Sequence, residues 1–253
     1  MVQASFPEVI LIRNQVAQYY AKNNNIGLRM SNARYACLLN SDTKIIGNSF
    51  EALVNFMDTH PDAAACGPKL LNPDMTIQSC IRGFVGLRTM ILQGINAHKL
   101  FPSGKVAREY YCVDFDYSKE AIVDSIGTTA YVIRRSTWEH IGMLDEQFPL
   151  YQVDLAYNLT LKRAGLRLYY TPCAEVVHLG GQSVNKMPEK HIVQFHRALI
   201  DFNEHFNYYG SSWLSKRLVR FAVNLRCWVK LLELRVGSDK RVIKGPGAPK
   251  LEI

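Results

Sequence analysis

Two apolar runs, Tyr35–Leu39 and Ala63–Leu71, flank a segment in which Phe50, Leu53, Val54 and Met57 recur at i, i+3, i+4 and i+7. That spacing predicts a helix over residues 48–60 with one apolar face. His60-Pro61-Asp62 ends it, because proline cannot continue a helix. A strand, an amphipathic helix and a second strand in this order leave the helix one place to bury its apolar face, against a sheet. The fold class that follows is α/β.

The rest of the chain repeats the alternation. Val9-Ile10-Leu11-Ile12 is a β-branched run, read as a strand buried on both faces. Residues 14–32 predict a helix followed by an asparagine-rich turn around Asn23-Asn24-Asn25. Ala130–Arg134 is a further strand, followed by a helix beginning near Ser136, a residue suited to an N-cap, and closed by Gly142. Residues 155–164 read as a helix stopped by Gly165, with short strands over 166–170 and 175–178. Residues 81–117 lack clear periodicity and read as a variable insertion or loop. Strands alternating with helices predict a mostly parallel sheet covered on both faces.

A chain of 253 residues fits one large domain or a domain with a tail. Its 48% hydrophobic and 21% charged residues exclude a disordered protein. The net charge of +8 suits an acidic partner: a nucleotide diphosphate, an anionic membrane surface or nucleic acid. No basic–aromatic ladder or known module supports the last, so no nucleic acid is expected. The six cysteines, at 37, 66, 80, 112, 173 and 227, form no CxxC pair and no zinc spacing. They read as reduced core thiols of a cytosolic protein. The first residues show no basic segment leading into an apolar one, and no run approaches 18 apolar residues. Neither a cleaved signal peptide nor a membrane-spanning helix is expected.

Leu38-Leu39-Asn40-Ser41-Asp42-Thr43 takes the strand into a short polar turn with one carboxylate. In open α/β sheets, ligands collect beyond the carboxyl ends of the strands. Asp42 there is a hard oxygen donor suited to Mg²⁺ or Mn²⁺. Taken alone, the hexapeptide also fits an ordinary strand-to-turn aspartate.

Five ordered segments together resemble the family 2 glycosyltransferases, in particular bacterial rhamnosyltransferase-like enzymes. The first is Asn23-Asn24-Asn25-Ile26-Gly27 followed by the Asn40-Ser41-Asp42-Thr43 turn. The second is Gly67-Pro68-Lys69-Leu70-Leu71-Asn72-Pro73-Asp74, with Gln78 and Arg82 after it. The third spans 127–135 and continues in Gly142-Met143-Leu144-Asp145-Glu146-Gln147-Phe148. The fourth is Val153-Asp154-Leu155 with Arg163-Ala164-Gly165, and the fifth is His178-Leu179-Gly180-Gly181-Gln182-Ser183.

The resemblance spans residues 6–210 and implies a GT-A fold, Rossmann-like, with an inverting transfer of a sugar from a nucleotide diphosphate sugar to an acceptor hydroxyl. It implies a divalent cation, Mg²⁺ or Mn²⁺, held by Asp42, which stands in the family's Asp-x-Asp position with Asn40 replacing the first carboxylate. His178 would be a second ligand near the diphosphate. Asn25, Asn40, Gly127, Gly180, Gly181 and Ser183 would line the donor site. Rhamnose as the sugar, a lipid-linked saccharide as the acceptor, and a role in surface polysaccharide assembly at the cytoplasmic face of the membrane also follow from the resemblance.

The sequence departs from the family at two places. Gln152 falls where the catalytic carboxylate is expected, and an amide cannot accept a proton at neutral pH. Asp154 aligns with the family's second aspartate; it is either the base or the cap of the next helix. The chain also opens at what resembles the family's later strand, so the strand–helix unit that cradles the nucleobase is expected to be missing. A degenerate, non-catalytic relative that binds a partner or membrane is the alternative these departures leave open.

Residues 1–210 are read as the transferase-like domain and 211–253 as a helical tail. In the tail, Leu214, Leu218, Phe221, Ala222, Leu225, Val229 and Leu232 share one helical face, while Lys216, Arg217, Arg220 and Lys230 lie off it. Such a helix either lies in a membrane interface or packs on its own domain.

Overall fold

The computed structural model describes residues 2–94, 101, 103–180 and 188–235. The strands, in chain order, are β1 (Tyr35–Leu39), β2 (Thr43–Ile45), β3 (Ala63–Leu71), β4 (Ile81–Arg82), β5 (Ala121–Ile122), β6 (Ser125–Ile126), β7 (Ala130–Arg134) and β8 (Arg167–His178). The helices are α1 (Val2–Ser5), α2 (Tyr20–Met30), α3 (Ser49–Thr59), α4 (Leu87–Gly94), α5 (Lys105–Glu109), α6 (Arg135–Ile141), α7 (Val153–Arg163), α8 (Pro188–Phe206) and α9 (Trp213–Arg235).

β3 is apolar apart from Lys69 and buried along nearly its whole length, which places it inside the sheet. The main sheet runs β1-β7-β3-β8-β2, with β5 also paired to β8. β4 and β6 form a separate two-stranded ribbon. Among the described residues only β3 and β8 pair in parallel; β1 with β7, β7 with β3, β2 with β8 and β5 with β8 are antiparallel.

The α/β class and the helix-flanked sheet agree with the GT-A arrangement, but the expected mostly parallel sheet is corrected to a mixed one. The reason lies in β7. It inserts antiparallel between β1 and β3, so the strand–helix–strand unit does join two strands of like direction without making them neighbours. β1, β3 and β8 therefore all point their carboxyl ends to one side of the sheet.

Helices cover both faces. On one, Leu53, Phe56 and Met57 of α3 pack with Ala63, Cys66, Val132 and Ala174. On the other, α2, α6 and α7 contribute Ala21, Leu28, Trp138, Ala156, Tyr157 and Leu161 to a core with Ala65, Tyr131, Ile133 and Tyr170. The alternation of Tyr131, Val132 and Ile133 between the two clusters is the period-two pattern of a sheet buried on both sides.

Several local expectations change. Val9-Ile10-Leu11-Ile12 is neither strand nor buried: Ile10 is 79% exposed. A strand needs a neighbour to take its N–H and C=O groups, and no strand of either sheet pairs with this run. Asn23, Asn24 and Asn25 lie inside α2 rather than in a turn. α6 starts one residue before Ser136, and the residue preceding it is Arg134. The two short strands expected over 166–178 are one strand, β8, interrupted by a register shift against β3 between Pro68 and Lys69. Cys66 is buried, but Cys37 and Cys173 are exposed, contrary to their reading as core thiols; all six are unpaired.

Candidate functional site

The carboxyl ends of β1, β3 and β8 bring three distant segments together. β1 leads into Asn40-Ser41-Asp42, β3 into the Asn72–Gln78 hairpin, and β8 ends at His178. Short β2 returns beside β8 with Thr43 opposite His178, and the Leu179 N–H donates to the Asp42 carbonyl at 2.9 Å. The Asp42 carboxylate and the His178 imidazole consequently face each other, with Oδ1 and Nε2 3.4 Å apart and both side chains partly buried.

Gln78 decides what His178 presents. The Gln78 side-chain amide donates to Asn72 Oδ1 at 3.1 Å and to the His178 carbonyl at 3.2 Å. Its oxygen is left to accept, and it lies 2.7 Å from His178 Nδ1. The proton of neutral His178 is thereby placed on Nδ1, and the lone pair of Nε2 is aimed at Asp42. Burial holds the imidazole below its usual protonation range, with the Asp42 charge acting against that shift. Two acceptors then face each other without a proton between them, an arrangement that a cation relieves.

The donor set fits a small hard cation. Two ligands, each about 2.1 Å from one ion, can stand up to about 4.2 Å apart, and 3.4 Å lies within that limit. Among the described residues there is no group of three or more His, Cys, Asp and Glu side chains able to hold a metal. Asp42 and His178 would thus supply two ligands, leaving further positions for substrate oxygens and water, as is usual for Mg²⁺ at phosphates. Gln78 orients His178 from behind, as outer partners of metal-bound histidines do. Gln78 stands in the motif after β3, at the same sheet end as Asp42, but its role emerges only from this hydrogen bond.

The other expected residues divide. Asn40 donates its backbone N–H to Thr129 O at 2.9 Å and accepts from Thr43 Oγ1 at 2.7 Å, which ties the turn to the 127–129 loop. Tyr20 Oη holds the same loop through Thr128 O at 2.7 Å. Gly180 has φ +60°, a conformation that favours glycine, directly against the His178 ring. Gly181 and Ser183 lie outside the described residues.

Asn25 is a correction. It is 2% exposed, donates to Leu144 O and Glu146 Oε1, and accepts from the Leu144 N–H. Its amide is consumed in fastening α2 to the 142–148 loop and is not offered to a ligand.

Gln152 precedes α7 in the left-handed region at φ 65°, where a non-glycine residue is strained. Asp154 sits in the first turn of α7, and its Oδ1 accepts from the Leu155 N–H at 2.8 Å. Burial raises its carboxyl above the usual carboxylate range; that hydrogen bond and the Arg82 charge oppose the rise. Gly127 lies beside this carboxylate: a Cβ there would be 3.9 Å from Asp154 Oδ2, in ordinary contact.

The family model described as Glycosyl transferase family 2 matches residues 1–83. An N-acetylglucosaminyl-diphospho-decaprenol L-rhamnosyltransferase of Mycobacterium tuberculosis is 25% identical over 170 residues, 66% of this chain and 54% of that protein. The O-antigen biosynthesis protein RfbC of Myxococcus xanthus is 24% identical over 161 residues, 63% of this chain and 12% of that protein. The chain thus spans about half the length of the mycobacterial relative. Among solved structures, GalNAc-T7 crystallised with UDP, GalNAc and Mn²⁺ aligns with a TM-score of 0.48 at 12% identity, covering 91% of this chain and 46% of that one. The matched segment contains β1, the Asp42 turn and Gln78, so over that stretch the chain is similar to the family 2 glycosyltransferases, and over a longer stretch to a rhamnosyltransferase.

Proposed function

We propose that the protein transfers a sugar, rhamnose by its relatives, from a nucleotide diphosphate sugar to a lipid-linked or saccharide acceptor in cell-surface polysaccharide synthesis. The observation that carries this reading is the Asp42–His178 pair at the carboxyl ends of three strands, with Gln78 aiming the histidine. Asp42 and His178 would hold Mg²⁺ or Mn²⁺, which stabilises the negative charge appearing on the departing diphosphate. Asn40 and Gly180 would border the donor.

In an inverting displacement, the acceptor oxygen bonds to the anomeric carbon as the bond to the diphosphate breaks. The diphosphate leaves with the electron pair, and a base takes the hydroxyl proton. Asp154 is that base, with Gln152 beside it positioning the acceptor. A carboxyl raised by burial is a stronger proton acceptor once ionised, which suits the role. The decaprenol-linked saccharide in the mycobacterial relative's name supports a lipid-linked acceptor, and the transfer would then be carried out at the inner face of the cell membrane.

Gln152 favours a second reading, a donor-binding protein without transfer, because its amide cannot take a proton. An assay with Mn²⁺, dTDP-rhamnose or UDP-sugars and a polyprenyl-diphosphate saccharide separates the two. Release of nucleoside diphosphate that depends on acceptor supports transfer. Donor binding without acceptor-dependent release supports the second reading and contradicts the first.

A further inference from the structure

α9 has two apolar sides. Val219 and Val223 are buried against Met90, in a cluster with Leu87, Leu199, Ile200 and Tyr209, which fastens α9 to α8 and α4. On the opposite side, Leu214, Leu218, Phe221, Leu225, Trp228 and Leu232 are all exposed, from 37% at Leu232 to 69% at Phe221. Their spacing alternates four and three residues, which lines them into one stripe along about 27 Å of helix. A contiguous apolar surface of this kind marks an interaction site.

Charge selects the occupant. α9 carries Lys216, Arg217, Arg220, Arg226, Lys230 and Arg235 against Glu233 as its one acid. Arg220, Lys230 and Arg235 pair with Glu204, Glu233 and Glu189. Lys216 and Arg217 have no carboxylate partner among the described residues, and Arg217 lies over the Trp213 ring at 4.5 Å. A second copy would set two helices of the same sign side by side, whereas an anionic lipid surface complements the stripe and Arg217 at its edge. Trp213 and Trp228, both exposed, suit the boundary between headgroups and acyl chains. No helix among the described residues is long and apolar enough to cross a bilayer, so α9 would lie in its plane.

We propose that the outer face of α9 docks the protein on an anionic lipid bilayer, with Val219 and Val223 anchoring the helix to the domain. This inference goes beyond the transfer reading and needs neither donor nor metal, so either can fail without the other.

The test is co-sedimentation of the full chain with vesicles of phosphatidylcholine, with and without phosphatidylglycerol, together with tryptophan emission. Binding is expected to the anionic vesicles, weaker at high salt, with a blue-shifted emission. Phe221→Ser with Trp228→Ser should lower it at least about tenfold while the far-UV melt is retained. Leu218→Ser with Leu225→Ser tests the same stripe and decides the matter should the first pair not fold. Absence of binding, or binding unchanged in a folded variant, overturns the proposal. So does a concentration-dependent dimer that the same substitutions dissolve while no vesicle binding is found.

Discussion

The Asp42 and Asp154 carboxylates are held in opposite ways. Asp42 faces the Nε2 of a histidine whose other nitrogen is fixed by Gln78, itself bonded to Asn72 and to the strand backbone. Asp154 sits at the start of α7 just after a left-handed Gln152, with a neighbouring N–H as its hydrogen-bond partner and a carboxyl raised by burial. The first arrangement is a prepared gap between two acceptors, suited to a cation. The second is a carboxylate made more basic by its surroundings, suited to a proton. The surroundings of the two acidic side chains suit them to different chemistry.

The sharpest way to break that contrast is Asp154→Asn. It should lower kcat by about 10²–10⁴-fold, the usual size of a general-base effect, while Mn²⁺ binding stays intact. Loss of Mn²⁺ binding along with activity would show that the two carboxylates act as one unit. The pH profile carries a sign. Because the Asp154 carboxyl is raised in the folded protein, activity should climb with pH through a point above the usual carboxylate range. The same shift costs folded-state stability above that point and none below the unfolded value.

His196 gives the opposite sign away from the crevice. Burial within α8 pushes its imidazole down to about 4, and its Nε2 has no partner among the described residues. Its folded value lies below the unfolded one, so its contribution is present above about pH 6.5 and lost as pH falls towards 4. The loss amounts to at most about 3 kcal/mol. Denaturant unfolding between pH 7 and 4 should show it, and His196→Phe should flatten the curve over that window; an equal slope in the variant would assign the acid sensitivity elsewhere.

Gln78→Leu has the smallest expected effect and probes the prepared half alone. It should weaken Mn²⁺ binding by about 10–100-fold without unfolding the domain, as loss of an outer partner does. Unchanged affinity in a titration calorimeter would mean that His178 needs no such orientation.

The alternation that fixed the class was legible because periods of 3.6 and 2 report which face is buried, and α3, β3 and β7 lie where that periodicity puts them. Strand direction was not legible. Periodicity carries no information on which strand pairs with which, and the insertion of β7 between β1 and β3 is decided by long-range packing. The 9–12 run shows the same limit, since an apolar run becomes a strand only where a sheet edge receives it. At the site, Asp42 and His178 were readable as motif residues. Gln78 was not, because its role rests on a hydrogen bond across 100 residues of sequence. Asn25 misled for the matching reason: a motif reports that an asparagine is required, and the structure shows the loop that requires it.

The measurement that bears most directly on the Asp42–His178 pair is titration calorimetry of UDP or dTDP into the protein, with and without Mn²⁺, for the natural chain and for Asp42→Ala. Nucleotide binding that requires Mn²⁺, and that Asp42→Ala abolishes while its melting curve is retained, is the predicted result. Binding of equal strength without the metal, or in Asp42→Ala, would contradict a diphosphate site built on this pair.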